Sequence, residues 1–273
     1  MCGRYVMARA TSDLVALGDA ETNEELVLRQ SWNVAPTAEV AILVAHADDV
    51  GAGVTRRIHV ARWGLVPPWA KELSVGSRAF NARSETVASK PTFRAAVRAR
   101  RCAVPVEGYY EWKTPEPGAK GPDGRAAKKQ PYYVHPAGAG DGEGPVIWFA
   151  GLYEWWQDPE AKAAGEDAWV LSTTILTMAA PDADDDDPVL AALGQLHDRL
   201  PVPMDAETMD RWLTPDTLGS AEEADALVGQ VCAGAYDVAA GWSLRPVGGA
   251  VGNVRNNGPE LIQEMREQQG TLL

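Results

Sequence analysis

The chain has 273 residues, of which 45% are hydrophobic and 23% charged, as in an ordinary globular protein. No apolar run approaches the roughly 18–20 residues of a transmembrane helix, and the chain does not begin with a signal peptide, so we expect a cytoplasmic protein without a membrane span. Three cysteines and four scattered histidines give neither a disulfide framework nor a metal-ligand spacing, so we expect reduced thiols, no metal and no cofactor.

The net charge of −13 is distributed unevenly along the chain. Residues 51–101 contain eleven Lys or Arg and only two Glu, so the rest of the chain carries a formal charge of −22. A basic segment on an acidic protein is typical of a surface that binds an anionic ligand such as nucleic acid. The alternative is that these basic residues pair with acidic neighbours after folding.

Residue patterns predict strands and helices in alternation. In chain order they are a helix over 11–18, strands over 39–46 and 55–65, a helix over 91–99, strands over 100–112, 131–136, 145–156 and 167–176, and helices over 205–213, 218–231 and 258–267. The strand segments are rich in Val, Ile, Tyr and Trp, and Asp205 and Ser220 are suitable caps for two helices. We therefore predict an α+β fold with a mostly antiparallel, barrel-like β core and peripheral helices.

Two polar segments interrupt this pattern. Residues 114–130 are rich in Gly, Pro and Lys, and residues 182–188 include four consecutive aspartates at 184–187. Such compositions are typical of solvated loops, so we predict surface insertions at both places, with the acidic run serving to keep its loop in solvent.

Cys2 follows Met1, and removal of the initiator methionine generally requires a small second residue such as cysteine. The product would carry an α-amine with a pKa near about 8 beside a thiol with a pKa near about 8.5. An aminothiol of this kind condenses with an aldehyde to a Schiff base, which the thiolate closes to a five-membered thiazolidine ring. The alternatives are an N-terminal nucleophile for amide hydrolysis and an idle cysteine at a frayed end.

The segment FNARSET (80–86) gathers polar groups after a turn. Arg83 and Ser84 suit a phosphate, and Asn81 suits the orientation of a nucleophile, although the same residues also suit a turn and helix cap.

Two glutamates and one histidine are candidates for proton transfer. Glu111 in EGYYEWK and Glu154 in LYEWW lie between aromatic residues, where desolvation raises a carboxyl pKa, and local context does not distinguish them. His197 lies in the proline-rich loop QLHDRLPVPM (195–204), although a lone histidine is more often structural.

Eight motifs in sequence order resemble the SRAP (SOS-response-associated peptidase) family of abasic-site-processing proteins. They are MCGR (1–4), WNVAPT (32–37), RWGLVPPWAK (62–71), FNARSETVASKPTFR (80–94), RRCAVPVEGYYEWK (100–113), FAGLYEWW (149–156), LHDRLPV (196–202) and VGNVRNNGPEL (251–261). The resemblance implies one SRAP domain over 1–273, matched up to about residue 261. It also implies a positively charged channel for single-stranded DNA.

The resemblance further implies the chemistry. Cys2, exposed by loss of Met1, would capture the ring-opened aldehyde of an abasic site as a thiazolidine DNA–protein crosslink that protects the lesion. The family's motifs place the other catalytic residues at Asn81, Glu111 and His197, which selects one of the two glutamates. We expect Glu111 to manage protons at the amine, His197 to assist opening of the sugar, and Asn81 to hydrogen-bond the Cys2 end.

The resemblance also implies DNA contacts. Arginines would bind phosphates, and two tryptophans would wedge or stack against bases. The DNA-binding set is Arg4, Asn33, Trp69, Arg83, Ser84, Arg94, Trp112 and Arg199.

We expect a monomer that binds abasic sites in single-stranded DNA, is nucleoid-associated when bound, and has a minor lyase activity through β-elimination. The alternatives are a thiol peptidase built on Cys2 and His197, including self-processing, and a DNA-binding module without catalysis.

Overall fold

The computed structural model describes residues 2–21, 28–47, 53–121, 123–138 and 144–265. The strands in this part of the chain are β1 (Tyr5–Met7), β2 (Ser31–Val34), β3 (Glu39–Ala47), β4 (Val54–Trp63), β5 (Asn81–Arg83), β6 (Arg101–Val106), β7 (Gly108–Lys113), β8 (Gln130–Pro136), β9 (Ile147–Gln157), β10 (Trp169–Ala179), β11 (Arg199–Pro201), β12 (Pro203–Met204) and β13 (Trp242–Pro246).

The helices are α1 (Thr11–Leu17), α2 (Arg94–Ala99), α3 (Pro159–Ala163), α4 (Pro188–Leu196), α5 (Ala206–Trp212), α6 (Ala221–Ala233) and α7 (Ala235–Ala239). Short 3-10 turns cover Leu73–Arg78, Ser84–Thr86, Gly249–Gly252 and Pro259–Ile262. Within the described ranges, no helix combines the length and the apolar character needed to cross a membrane.

Five strands close into a barrel that holds the main hydrophobic core. β3 pairs with β4 and β6, β6 pairs with β9, and β10 pairs with both β9 and β4, which closes the ring. The β4–β10 pair is parallel and the other four are antiparallel. β6 is buried at every position, as the apolar residues that follow Arg101 in the strand require. The predicted α+β fold with a barrel-like core is confirmed.

A second sheet brings the N-terminal strand into contact with the strand that carries Glu111. Its order is β13-β8-β7-β1-β2, so β1 lies between two antiparallel neighbours. Tyr5 pairs with Tyr109 of β7 on one side and with Val34 of β2 on the other. The beginning of the chain is therefore held by hydrogen bonds on both sides.

Four helices begin at side chains that cap them. Asp158, Asp187, Asp205 and Ser220 accept backbone N–H groups in the first turns of α3, α4, α5 and α6, which confirms the two caps predicted from sequence. Asp187 corrects the interpretation of the acidic run as a solvated loop. Its last aspartate starts α4, with a proline at the first helical position.

The strand predicted over 100–112 is two strands, β6 and β7. They separate at Glu107, whose carboxylate accepts hydrogen bonds from the backbone of Ala8 at 3.3 Å and from Arg9 Nε at 3.1 Å. The hydrogen bonds of Glu107 with Ala8 and Arg9 mark the point where β6 ends and the chain enters the second sheet as β7.

The helix predicted over 258–267 is wrong within the described residues, where only the 3-10 turn Pro259–Ile262 forms. Two apolar residues of the turn pack into a hydrophobic cluster of the second sheet, and Met265 N donates to Pro246 O at 3.0 Å. The segment therefore follows the end of β13 instead of continuing a helix. Residues 266–267 lie outside the described residues.

Arg101 is a buried cation that binds backbone carbonyls only. Its guanidinium, in a residue that is 5% exposed, ties α2 and β6 to the chain after α5. The acceptors are the carbonyl oxygens of Val97, Arg98, Trp212, Thr214 and Asp216. Arg101 belongs to the basic segment 51–101, but its role is structural, because five carbonyl acceptors replace its hydration shell.

Replacing Arg101 by Met should destabilise the fold. The apolar stem is kept, but several buried carbonyls lose their donor, so we expect a loss of about 3 kcal/mol or more in the free energy of unfolding. The measurement is the urea midpoint. Arg211→Met removes an exposed arginine paired with Glu207 and should cost less than about 1 kcal/mol. Similar midpoints for the two variants would contradict this role of Arg101.

Candidate functional site

Cys2 lies in the hydrophobic core, not at a frayed end. The residue is 1% exposed, and the antiparallel pairing of β1 with β7 continues beyond the strand, since Tyr110 N donates to Arg4 O at 2.9 Å. Extending this register by one residue beyond the Arg4–Tyr110 pair puts Gly3 opposite Glu111. The ladder between β1 and β7 therefore delivers Cys2 to the end of β7 where Glu111 lies.

Asn81 holds the Cys2 backbone. Its Nδ2 donates to the Cys2 carbonyl oxygen at 2.8 Å, and β5 fixes its position because Asn81 pairs with Ile175 of the barrel strand β10. The Oδ1 atom of Asn81 is buried and has no hydrogen-bond partner among the described residues. A buried acceptor of this kind is suited to a donor supplied by a ligand or by a new N–H group.

Glu111 supplies the negative charge at this site. The residue is 5% exposed, and its Oε1 accepts the backbone N–H of Trp112 at 3.2 Å. Burial, and after it the charge of Glu111, raises the pKa of the Cys2 thiol well above its usual range. Burial also raises the pKa of Tyr109, which is further raised by Cys2 and Glu111. The thiol, the phenol and the carboxylate thus share one desolvated environment.

The structure separates the two glutamates that local sequence could not distinguish. Glu154 forms an ion pair with Arg100, with 2.7 Å between Oε2 and Nη2, and its Oε1 accepts the backbone N–H of Trp155. It belongs to barrel strand β9, where its charge is compensated by that of Arg100. Glu111 is the glutamate at Cys2.

His197 ends α4, a helix that packs against β7. Its Nδ1 lies 3.0 Å from the backbone N of Arg199 and 2.7 Å from Oδ1 of Asp198. Both contacts of this nitrogen are with the two residues that follow it in the chain. His197 is thus positioned by its own loop, with a side chain that is 28% exposed.

Arg4 and Asn33 form hydrogen bonds with each other and with the turn at residues 251–256. Arg4 Nη1 donates to Asn33 Oδ1 at 3.0 Å and to Val251 O at 2.8 Å. Asn33 Nδ2 lies within 3.3 Å of three carbonyl oxygens of the 251–256 turn. Both side chains therefore clamp the N-terminal segment, and their expected contacts with DNA stay predictions.

Arg199 and Ser84 also have partners inside the protein. Arg199 binds both carboxylate oxygens of Glu85, at 2.5 and 3.0 Å, and the carbonyl oxygen of Thr177 at 2.6 Å. This pairing lowers the pKa of the Glu85 carboxyl. Ser84 is buried, and its side chain lowers the pKa of the Cys232 thiol, which burial raises. The contacts of these two residues with DNA likewise stay predictions.

The remaining predicted DNA contacts lie on the surface. Trp69 is 62% exposed, Arg83 and Arg94 are exposed, and Trp112 is partly buried against the second sheet. Neither arginine forms a side-chain hydrogen bond or ion pair with another described residue.

A cationic cavity of about 550 Å³ opens beside Asn81. Arg78 and Lys90 line it together with Ser74, Ser77 and Thr92. Arg78 and Lys90 belong to the basic segment 51–101 but are not among the predicted site residues. These two residues flank the FNARSET motif in the sequence. That closeness indicates a shared site only once the 3-10 turn Leu73–Arg78 folds next to β5.

A second cavity, of about 710 Å³, has Asn33 among its lining residues. Arg29 and Arg255 line it, together with polar residues of β2 and of the turn that follows. No group of three or more metal-ligating side chains occurs among the described residues.

These features define a class of protein: an α+β barrel protein whose buried second-residue cysteine meets an amide and a carboxylate beside a cationic surface. The chain belongs to the SOS response associated peptidase (SRAP) family, whose model matches residues 1–254.

Curated relatives span nearly the whole chain. Abasic site processing protein YoqW of Bacillus subtilis is 30% identical over 264 residues, which is 96% of this chain and 99% of that protein. Abasic site processing protein YedK of Escherichia coli is 26% identical over 267 residues, with the same coverage of 96% and 99%. A crystal structure of a protein from Bacteroides thetaiotaomicron matches with a TM-score of 0.69 at 20% identity, over 97% of this chain and 100% of that one, which shows the shared fold.

Replacing Glu111 by Gln should make the Cys2 thiol more reactive. Burial is kept but the repelling carboxylate is lost, so the thiol pKa falls and more thiolate is present at each pH. We expect a several-fold faster alkylation of Cys2 by iodoacetamide near pH 8, followed by peptide mass spectrometry. Glu154→Gln, at the barrel ion pair, should leave the rate unchanged. An equal rate in wild type and Glu111→Gln would contradict the coupling.

Proposed function

We propose that this protein processes abasic sites in single-stranded DNA by forming a covalent bond through Cys2. The observation that carries the proposal is the placement of Cys2 between Asn81 and Glu111 next to a cationic cavity. The names of the curated relatives support the same substrate. The proposal requires a free α-amine on Cys2, which removal of Met1 would provide.

The reaction is a condensation without a redox step. The Cys2 amine adds to the aldehyde carbon of the ring-opened sugar, and loss of one water gives a Schiff base. The Sγ atom then bonds to the same carbon as its S–H bond breaks, and the thiol proton passes to the imine nitrogen, which closes the thiazolidine ring. Closure is intramolecular and therefore fast relative to attack by an external thiol.

The charges at the site favour the amine as the first nucleophile. The thiol is held protonated by burial and by the negative charge of Glu111. The same carboxylate would attract the ammonium form of a Cys2 amine and accept its proton, which releases the nucleophilic lone pair. The buried Oδ1 of Asn81 would accept an N–H of that amine. Glu111 would then return its proton to the departing hydroxyl group.

The confinement of Cys2 suits an abasic site. A nucleotide with its base occupies space beside the sugar, whereas an abasic sugar can approach a thiol that is 1% exposed. Arg78 and Lys90 in the cavity, and the exposed Arg83 nearby, would hold the flanking phosphates. Trp69 would stack against an adjacent base.

Met1-processed protein should form a heat-stable adduct with an oligonucleotide that contains one abasic site. Denaturing electrophoresis detects the adduct, and mass spectrometry should show the mass of the two components less one water. Cys2→Ala should give no adduct, and neither should protein with an added residue before Cys2. An adduct from the blocked protein would refute the aminothiol chemistry. Cleavage of peptides without any adduct would favour the thiol peptidase, and DNA binding alone would favour a module without catalysis.

Glu111→Gln should slow adduct formation although it makes the thiol more reactive. Proton transfer at the amine and hydroxyl is lost, so we expect a decrease of about 100-fold or more in the single-turnover rate. Glu154→Gln is the matched control, because it changes the same residue type in a similar aromatic segment, and it should stay within about threefold of wild type. A normal rate in Glu111→Gln would exclude the proposed proton transfer. Strand cleavage by β-elimination should remain a minor product in all variants.

A further inference from the structure

The connection between β7 and β8, residues 114–129, forms an arm beyond the strand that carries Glu111. Lys113 of β7 pairs with Gln130 of β8, so the arm begins where the sheet ends. It has order of its own: Lys120 bridges Ala126 in antiparallel fashion, and Ala127 N donates to Ala119 O at 2.9 Å. A short hairpin therefore projects from the edge of the candidate site.

The arm is cationic in an acidic protein. Its exposed basic residues, counted from the end of β7, are Lys113, Lys120, Arg125, Lys128 and Lys129. Its acidic residues are Glu116 and Asp123, of which Asp123 lies 3.9 Å from Arg125. None of the four lysines makes a side-chain hydrogen bond or ion pair with a described residue. These charges do not stabilise the fold in the way that Arg101 does.

The arm also lacks groups for other kinds of recognition. Residues 114–129 contain no aromatic residue and no aliphatic residue larger than Ala, apart from prolines. Single-stranded nucleic acid is usually held by aromatic stacking together with charge, whereas duplex backbone is bound by charge alone. The composition of the arm therefore fits the phosphates of a double helix.

We propose that the 114–129 arm binds the phosphate backbone of duplex DNA that flanks the captured single-stranded lesion. The position of the lesion in this proposal rests on the proposed function, whereas the charge of the arm is independent of it. Each limb of about eight residues reaches at most about 25 Å from the end of β7, which corresponds to about seven base pairs of duplex. The arm thus selects lesions that lie close to a duplex.

Salt-dependent binding of an undamaged DNA tests the proposal without any chemistry at Cys2. The probe is an oligonucleotide with a five-nucleotide single strand joined to a ten-base-pair duplex, measured by fluorescence anisotropy from about 50 to 300 mM NaCl. A single strand of the same total length is the comparison. The arm variant is Lys120→Gln, Lys128→Gln and Lys129→Gln combined.

We expect the arm variant to bind the duplex-flanked probe at least about tenfold more weakly at 100 mM NaCl. Its log–log salt slope should fall by about 2.7, since each lost phosphate contact removes about 0.9. Binding of the single strand should change less than about twofold. The charge-conserving change of the same lysines to Arg should retain wild-type binding, and Glu116→Gln with Asp123→Gln should strengthen it.

Equal binding of the duplex-flanked probe by wild type and the Gln variant would overturn the proposal. An equal loss on both probes would overturn it as well, because the arm would then have no preference for duplex. Lys162→Gln with Arg211→Gln, at exposed positions of α3 and α5, measures the effect of overall charge. Failure of the Cys2 adduct with intact salt-dependent duplex binding would refute the proposed function and leave the arm supported.

Discussion

The antiparallel contact between β1 and β7 is the constraint on which the candidate site depends. A residue at the beginning of a chain is normally frayed, because few hydrogen bonds hold it. Here β1 lies between β7 and β2, and the hydrogen bond from Tyr110 N to Arg4 O extends the ladder toward Cys2. The Arg4–Asn33 clamp and the bond from Asn81 to the Cys2 carbonyl complete the fixation.

This fixation creates an unusual electrostatic environment. A thiol and a carboxylate are buried together, and burial followed by the charge of Glu111 raises the pKa of the Cys2 thiol, so the site holds a neutral thiol. Two acids in a desolvated pocket are complementary to a cation. An α-ammonium group on Cys2 would supply that cation beside its own thiol, which is why the proposed chemistry treats amine, thiol and carboxylate as one unit.

The basic residues of segment 51–101 have two different roles in the fold: some bind partners within the protein, and others line a cavity. Arg100 pairs with Glu154, as the alternative of pairing with acidic neighbours anticipated, whereas Arg98 and Arg101 bind backbone carbonyls. Arg78 and Lys90 instead line the cavity beside Asn81. Charge count along the chain could not make this division. Whether a guanidinium finds acceptors depends on which loop folds over it, and for Arg101 that loop comes more than 100 residues later.

Long strands with continuous apolar runs were predictable because their residues favour the extended state and must be buried. The strands β1, β2, β5, β11, β12 and β13 have only two to five residues, too few for a periodic pattern, and exist because neighbouring strands supply hydrogen bonds. Residues 258–265 show the reverse, since a predicted helix there gave way to packing against β13. The assignment of Glu111 came from the family motifs, and the structure supplied the physical reason.

The sequence by itself determined the barrel strands, the two helices that begin at Asp205 and Ser220, the acidic balance with its basic segment, and the set of reactive residue types. Those features follow from local preference, periodicity and composition, which any short window of the chain contains. Only the tertiary structure decided that Cys2 is buried, that Glu154 pairs with Arg100 while Glu111 lies near the thiol, and that Arg4, Asn33 and Arg199 have partners within the protein. Each of these depends on contacts between residues far apart in sequence, for which a single chain carries no local signal.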